Sequence, residues 1–296
     1  MKNFNLYILR TLFVFGLVLT ITSTALAGGP WPQQKGAFYL KLSEWWVVFD
    51  EHFTDTGGTD PNVTTGIYNT FLYGEYGVTD RVTALFNGAL FSRNVMNNLR
   101  SSTTNEVIAE GEGLNSIGDI DVGVKYGITK PGAALPVSVS LILGLPTGTT
   151  AGGKLGNLQT GDGEFNQLVQ VDVGQGFKLG NSSAYASAYT GFNNRTNGFS
   201  EEFRYGAEVG IGLVESKLWL NTKLNVIESL KNGDTAATTN NTSIFANNTE
   251  FKSIAFEANY FLNKNVGLSV SYATVFYGEI IAAAPSYSVG VFVTME

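Results

Sequence analysis

A chain of 296 residues without a single cysteine has no disulfide framework and no thiolate metal site, and its one histidine leaves little for imidazole chemistry. The balance of charge is acidic, −7 overall, which argues against nucleic acid as a partner. No segment after the first 27 residues approaches 18 unbroken apolar positions, so a helical membrane span is not expected there.

The N-terminus reads as a secretory signal. Lys2 and Arg10 supply a basic start, Leu12 to Thr22 a mostly apolar core, and Ala25-Leu26-Ala27 an A-x-A cleavage site. A transmembrane anchor is the competing reading, but the apolar run is short and is broken by Thr20, Thr22 and Thr24. The expected organisation is a signal peptide over 1–27 and one β-barrel domain over 28–296. Cleavage removes two basic residues of 18 and no acidic ones of 25, leaving a net charge of −9. No cysteine follows the cleavage site, so a lipoprotein is not expected.

Gly28 to Gln34 is a Gly/Pro lead-in that reads as too small to plug a pore. From Lys35 onward the pattern predicts twelve strands, near 36–49, 64–76, 82–93, 118–128, 136–146, 164–177, 183–192, 203–214, 217–228, 250–261, 265–277 and 286–295. Each is about ten residues or slightly more, the length a tilted membrane-spanning strand needs, and the count is even. The alternation is clearest from Gly118 to Phe177. There Ile120, Val122, Val124, Tyr126 and Ile128 oppose Asp119, Asp121, Gly123 and Lys125, and Val169, Val171 and Val173 oppose Gln170, Asp172 and Gly174. A soluble barrel would turn the apolar face inward. An outer-membrane barrel turns it to lipid and the charges to a wet lumen.

The connections separate the two. Gly77 to Arg81, Thr129 to Leu135, Lys178 to Ser182, Glu215-Ser216 and Leu262 to Lys264 are short. Asn94 to Ile117, Thr147 to Gly163, Asn193 to Glu202 and Ser229 to Thr249 are long and rich in Asn, Thr, Ser and Gly. Short periplasmic turns and long outer loops are the asymmetry of an outer-membrane barrel. Aromatics gather at strand ends as two girdles: Tyr76, Tyr126, Phe177 and Tyr260 near short turns, and Phe91, Phe192 and Tyr277 near long loops. The fold expected is therefore all-β, an antiparallel transmembrane β-barrel of about 12 strands in the bacterial outer membrane, with outer-membrane lipid around it.

Asp119, Asp121, Lys125, Glu164, Asp172, Arg204, Glu208, Lys223 and Glu257 fall opposite the apolar stripes. Facing lipid, a central Lys or Arg would cost about 2–4 kcal/mol, so they are expected to line the lumen. Twelve strands tilted near 40° give a backbone diameter of roughly 20–25 Å and an opening on the order of 10 Å at most. Two stretches resist assignment: Glu44 shares its face with Phe38, Leu40 and Leu42, which suggests a bulge near Trp45-Trp46 or a place at the headgroups, and Ser183 to Phe192 shows no clear faces. The hairpin at Glu215-Ser216 fixes a register in which paired numbers sum to 431, placing Glu208 opposite Lys223 and Gly212 opposite Trp219.

Tyr73-Gly-Glu-Tyr-Gly-Val-Thr-Asp-Arg-Val-Thr, Gly118-Asp119, Lys125-Tyr126, Leu145-Pro-Thr-Gly148 and Thr160-Gly-Asp-Gly163 follow in that order. Together they resemble the outer-membrane family named for the meta-pathway of phenol degradation, itself distantly like the hydrophobic-compound channels for fatty acids and toluene. The resemblance runs through most of the chain after residue 27. It implies an outer-membrane barrel and uptake of small aromatic or apolar molecules. The lead-in is too short for the hatch of the fatty-acid channels. The last strand, Ser288 to Met295, resembles the signal that barrel-assembly machinery recognises, although it ends in Met295-Glu296 and not in an aromatic residue.

Catalytic chemistry finds little support. His52 falls in the first outer loop beside Asp50, Glu51 and Asp55, where a solvated role is the simpler reading than a hydrolase. One histidine with scattered carboxylates lacks metal-ligand spacing. The Gly-rich Thr150 to Gly163 matches neither phosphate-binding pattern. No cofactor, metal or catalytic residue is expected. The function expected is passive passage of small solutes, plausibly apolar or aromatic. The alternative is a structural or adhesion barrel whose outer loops bind a partner.

Overall fold

The computed structural model describes residues 28–101, 103–154, 156–234 and 244–296. The expected signal peptide lies outside them. Sixteen strands follow one another: β1 (Phe38–Phe53), β2 (Thr59–Thr79), β3 (Val82–Met96), β4 (Leu99–Arg100), β5 (Val107–Ala109), β6 (Glu112–Ser116), β7 (Ile120–Gly127), β8 (Val137–Leu145), β9 (Asn166–Leu179), β10 (Ser182–Arg195), β11 (Glu202–Leu213), β12 (Leu218–Ser229), β13 (Glu250–Phe261), β14 (Val266–Glu279), β15 (Ile281–Ala282) and β16 (Ser286–Met295). Leaving aside the short β4, β5, β6 and β15, twelve strands pair antiparallel with their chain neighbours, and β1 pairs with both β2 and β16. The sheet is a closed barrel with both ends of the chain's barrel segment on the short-turn side.

The faces settle which way the barrel is turned. Val209 and Val289 are 54% and 47% exposed on the outside, while Lys125 and Asp172, on the opposite face, are 4% and 3% exposed. A protein in water would reverse this, because apolar surface left in water costs about 25 cal/mol per Å². Wrapped in lipid the same surface is at home, and the backbone is satisfied because a closed sheet has no edge. Tyr76, Tyr126, Phe177 and Tyr260 face outward at one end, and Phe91, Phe192 and Tyr277 at the other, as two girdles require.

Each of the twelve expected strands is present, with small shifts of its ends. The main departure is that β1 and β2 continue past the membrane zone and join through the short turn 54–58. His52 is therefore a strand residue, opposite Asp60 on β2 and Ala282 on β15, and not part of a loop. The hairpin of β11 and β12 has the expected register, with Glu208 opposite Lys223 and Gly212 opposite Trp219. Its turn adopts positive φ at Val214, Glu215 and Ser216, a right-handed match to strand twist achieved without glycine.

Two irregularities were hidden in the alternation. Bulges leave Leu90-Phe91 and Phe276-Tyr277 as adjacent pairs that both face outward. Around Glu44, by contrast, pairing with β2 and β16 is unbroken from Phe38 to Val47, so no bulge forms at Trp45-Trp46. Glu44 lies on the lipid side and accepts a 2.7 Å hydrogen bond from the Thr70 hydroxyl. Two residues further on, Trp46 pairs with Tyr68 and Tyr287, and Tyr287 with Tyr272, an aromatic row that marks the interface. The carboxylate thus sits beside the headgroup zone. On β10, Tyr185, Ser187 and Tyr189 turn inward and Ala186, Ala188, Thr190 and Phe192 outward; three small or polar outward residues are why the sequence showed no clear faces.

Candidate solute pathway

The lumen is built in three tiers. At the short-turn end the lead-in folds into the barrel, against the expectation that it is too small to occupy a pore. Gly28 N and Gln33 Nε2 each donate to Glu75, at 2.9 Å in both cases, and Gln33 N donates to Thr83 Oγ1 at 2.8 Å. Lys125 Nζ stands 3.3 Å from the same carboxylate, and the Tyr73 hydroxyl donates to it. Trp31 packs edge-on against Tyr185 at 5.5 Å. Two prolines restrain the backbone of this segment and reduce the number of N–H groups that must be satisfied inside. The wall makes room for them with glycine: a Cβ on Gly174 would stand 2.9 Å from Pro30 Cγ, and one on Gly127 2.8 Å from Pro32 Cγ. Sequence length alone concealed the plug, since the seven residues Gly28 to Gln34 suffice when the wall is cut back to receive them.

In the middle tier charges of alternating sign cross the lumen. Lys223 Nζ lies 3.5 Å from Glu208 and 3.2 Å from Glu257, and Lys41 reaches Glu257 at 2.6 Å. Lys41 spans from β1 past β16 and β14, which turn the small Ser269, Ser271, Ser288 and Gly290 inward. The Tyr185 hydroxyl donates to Glu208. A cavity of about 410 Å³ opens here, with Asp172, Arg204, Glu208, Lys223 and Asn225 on its wall and Gly29 of the lead-in closing one side. Glu208→Gln is expected to weaken only the middle tier, changing stability by no more than about 1 kcal/mol because the pair is part-solvated; equilibrium unfolding in detergent and urea measures it.

The third tier closes the long-loop end. The connection 146–165 turns back on the barrel mouth, where Gly148 N and Asp162 N donate to the two oxygens of Asp119 at 2.9 and 3.0 Å. Asn94 Nδ2 donates to the Gln159 carbonyl at 3.0 Å. Arg195, at the end of β10, gathers Asp162, Glu164 and Glu202 at 2.9, 2.7 and 2.8 Å, and Arg204 holds Glu202 from the lumen side at 2.6 Å. Burial pushes the carboxyl of Asp119 up to about 6 and raises those of Asp162 and Glu164. Ile244, Ala282 and Ala284 cover Val47, Phe49 and Ile67 on the inner face of β1 and β2.

The expected lumen residues are thus inside, in different company. Asp121, Lys125, Asp172, Arg204, Glu208, Lys223 and Glu257 face the interior of the barrel. Asp121 takes a 3.3 Å hydrogen bond from Asn87, and Asp172 is held by Gln170 at 2.9 Å. Asp119 and Glu164 anchor the loop at the mouth and do not line the middle. Lys41, Glu75, Asp162, Arg195 and Glu202 were missed. Lys41 and Glu75 alternate with Leu40, Leu42 and Tyr76 and were legible by period 2, whereas Arg195 and Asp162 meet only through a loop fold that no local pattern encodes. His52 Nδ1 is buried without a hydrogen bond among the described residues.

No family model matches the chain, and no curated protein does. Solved structures do. The COG4313 outer membrane channel from Pseudomonas putida F1 is 15% identical, with a TM-score of 0.54 over 92% of this chain and 100% of that one. The NanC porin is 10% identical (TM-score 0.49, 86% of this chain and 100% of that one), and the KdgM porin in complex with disordered oligogalacturonate is 6% identical (TM-score 0.48, 87% and 99%). At these identities the likeness speaks for the fold alone, and the fold is that of an outer-membrane β-barrel.

Proposed function

We propose that the chain is a bacterial outer-membrane channel for the passive passage of small solutes, with its short turns in the periplasm and its long loops outside. The observation that carries this reading is the cavity of about 410 Å³ inside a barrel whose outer surface is apolar and whose inner wall is ionised. The resemblance to the phenol meta-pathway family supports channel function, as does the architecture shared with the Pseudomonas putida channel. An apolar or aromatic solute is less well served, since the wall of this cavity places carboxylates, lysine and arginine beside it. No step of the reading needs a reaction or a cofactor.

The closed tiers at both ends also suit a purely structural or adhesion barrel, so flux decides. Purified barrel in liposomes is expected to admit small polar solutes faster than empty vesicles do; equal rates for sugars, amines and small aromatics would remove the channel reading. Processing after Ala27 belongs to the same proposal, and intact-mass measurement of the outer-membrane fraction should show a chain starting at Gly28. The barrel-assembly machinery is proposed as the partner of β16, whose outward Val289, Val291, Val293 and Met295 form the closing strand.

A further inference from the structure

The ion pairs inside the barrel are unevenly shared. In the body of the lumen the cations are already engaged by carboxylate: Lys41 with Glu257, Lys125 with Glu75, Lys223 with Glu208 and Glu257, Arg195 with three partners, and Arg204 with Glu202; Lys178, at the short-turn rim, bonds the Ser183 hydroxyl. Those five face nine carboxylates, the others being Asp119, Asp121 and Asp172. Among the described residues these three make no ion pair and are hydrogen-bonded by N–H groups, backbone donors on Asp119, the Asn87 amide on Asp121 and the Gln170 amide on Asp172, while Arg204 and Lys125 act on Asp121 and Asp172 only from beyond ion-pair distance. Unpaired neutral acceptors line the wall too, beside one unpaired donor at Trp219 Nε1. Asn69 and Asn221, both more than nine-tenths buried on the inner face of β2 and β12, each leave Oδ1 without a hydrogen bond. Past the Lys178 rim an anion would meet no cation without a carboxylate partner among the described residues, whereas a cation would meet carboxylates and carbonyl-type oxygens. Low-dielectric walls focus such a field along the axis, and rings of Asp and Glu are how cation pores select.

We infer that the lumen passes small cations, inorganic or organic ammonium, in preference to anions, and that Asp121 and Asp172 set that preference. The inference rests on the channel reading and adds the class of solute to it. The decisive measurement is the reversal potential of the purified barrel in planar bilayers across a potassium chloride gradient. The cation-to-anion permeability ratio is expected to exceed about 3 and to fall toward 1 in the double variant Asp121→Asn/Asp172→Asn. Both changes keep size and shape, and heat-shifted migration on gels confirms that the variant barrel is folded. Asp55→Asn, in the exposed turn 54–58, should leave the ratio where it was. A ratio at or below 1 in the parent protein would overturn the inference while leaving a channel. A ratio untouched by the double variant would overturn the assignment to these two residues. Folded protein that carries no current at all would overturn the channel reading, and this inference with it.

Discussion

Deleting residues 28–36 should raise single-channel conductance about three- to tenfold, because the segment occupies the inner end of the lumen and no strand of the barrel is lost with it. The lead-in is held by few but specific contacts. Glu75 receives Gly28 N, Gln33 Nε2, the Tyr73 hydroxyl and Lys125 Nζ, and Pro30 and Pro32 lie over Gly174 and Gly127. Gly174→Leu should act in the same direction with the full chain present, since a side chain there would take the place of Pro30. Planar-bilayer recordings check both. Unchanged conductance in the deletion would show that the constriction lies elsewhere, and the outer tier would be the remaining obstruction.

Arg195→Met is expected to be the most destabilising single substitution, by about 3–5 kcal/mol, because it leaves Asp162, Glu164 and Glu202 gathered without their shared cation. Arg195 makes three ion pairs and also packs over the Phe199 ring at 4.5 Å, so both charge and surface are lost. The connection 146–165 should come free of the mouth and become open to protease in intact cells, while the short turns stay protected. Adding Glu164→Gln to Arg195→Met should recover part of the loss, since one of the three stranded charges is removed. Denaturant unfolding and limited proteolysis read the two effects separately. A variant with parental stability would mean that water, and not Arg195, carries those carboxylates.

Much of the barrel was written in the sequence at the shortest range. The alternation of Val169, Val171 and Val173 with Gln170, Asp172 and Gly174 sets the faces of β9, and the Glu215-Ser216 turn sets the partners of β11 and β12 from local chemistry alone. What local pattern could not carry were features that depend on parts far apart in the chain. The Glu75 site needs Gly28, Gln33 and Lys125 at once, and the Arg195 cluster needs a loop and two strands. The bulges at Leu90 and Phe276 were concealed for a different reason: adding one residue to a run of apolar side chains leaves a pattern that is still apolar. Glu44, whose face suggested a bulge or a place at the headgroups, is a lipid-side carboxylate in unbroken pairing, made tolerable by Thr70 and by its place beside the aromatic row.

The closure of β1 on β16 has a consequence for the order in which the molecule can be made. The Thr294 hydroxyl bonds the Phe38 carbonyl across 256 positions of sequence, so the first strand waits for the last ten residues before its second edge is covered. Until then β1 and β14 both present open rows of N–H and C=O groups, which hydrocarbon cannot satisfy. Nor can a chain stopped at residue 285 close early on itself. β14 runs antiparallel to β16, and β16 antiparallel to β1, so without β16 the two free edges would have to meet as a parallel pair, with a different slant of hydrogen bonds. Assembly is therefore all or nothing at its final step, and a truncation that removes β16 carries the penalty of an unsealed seam.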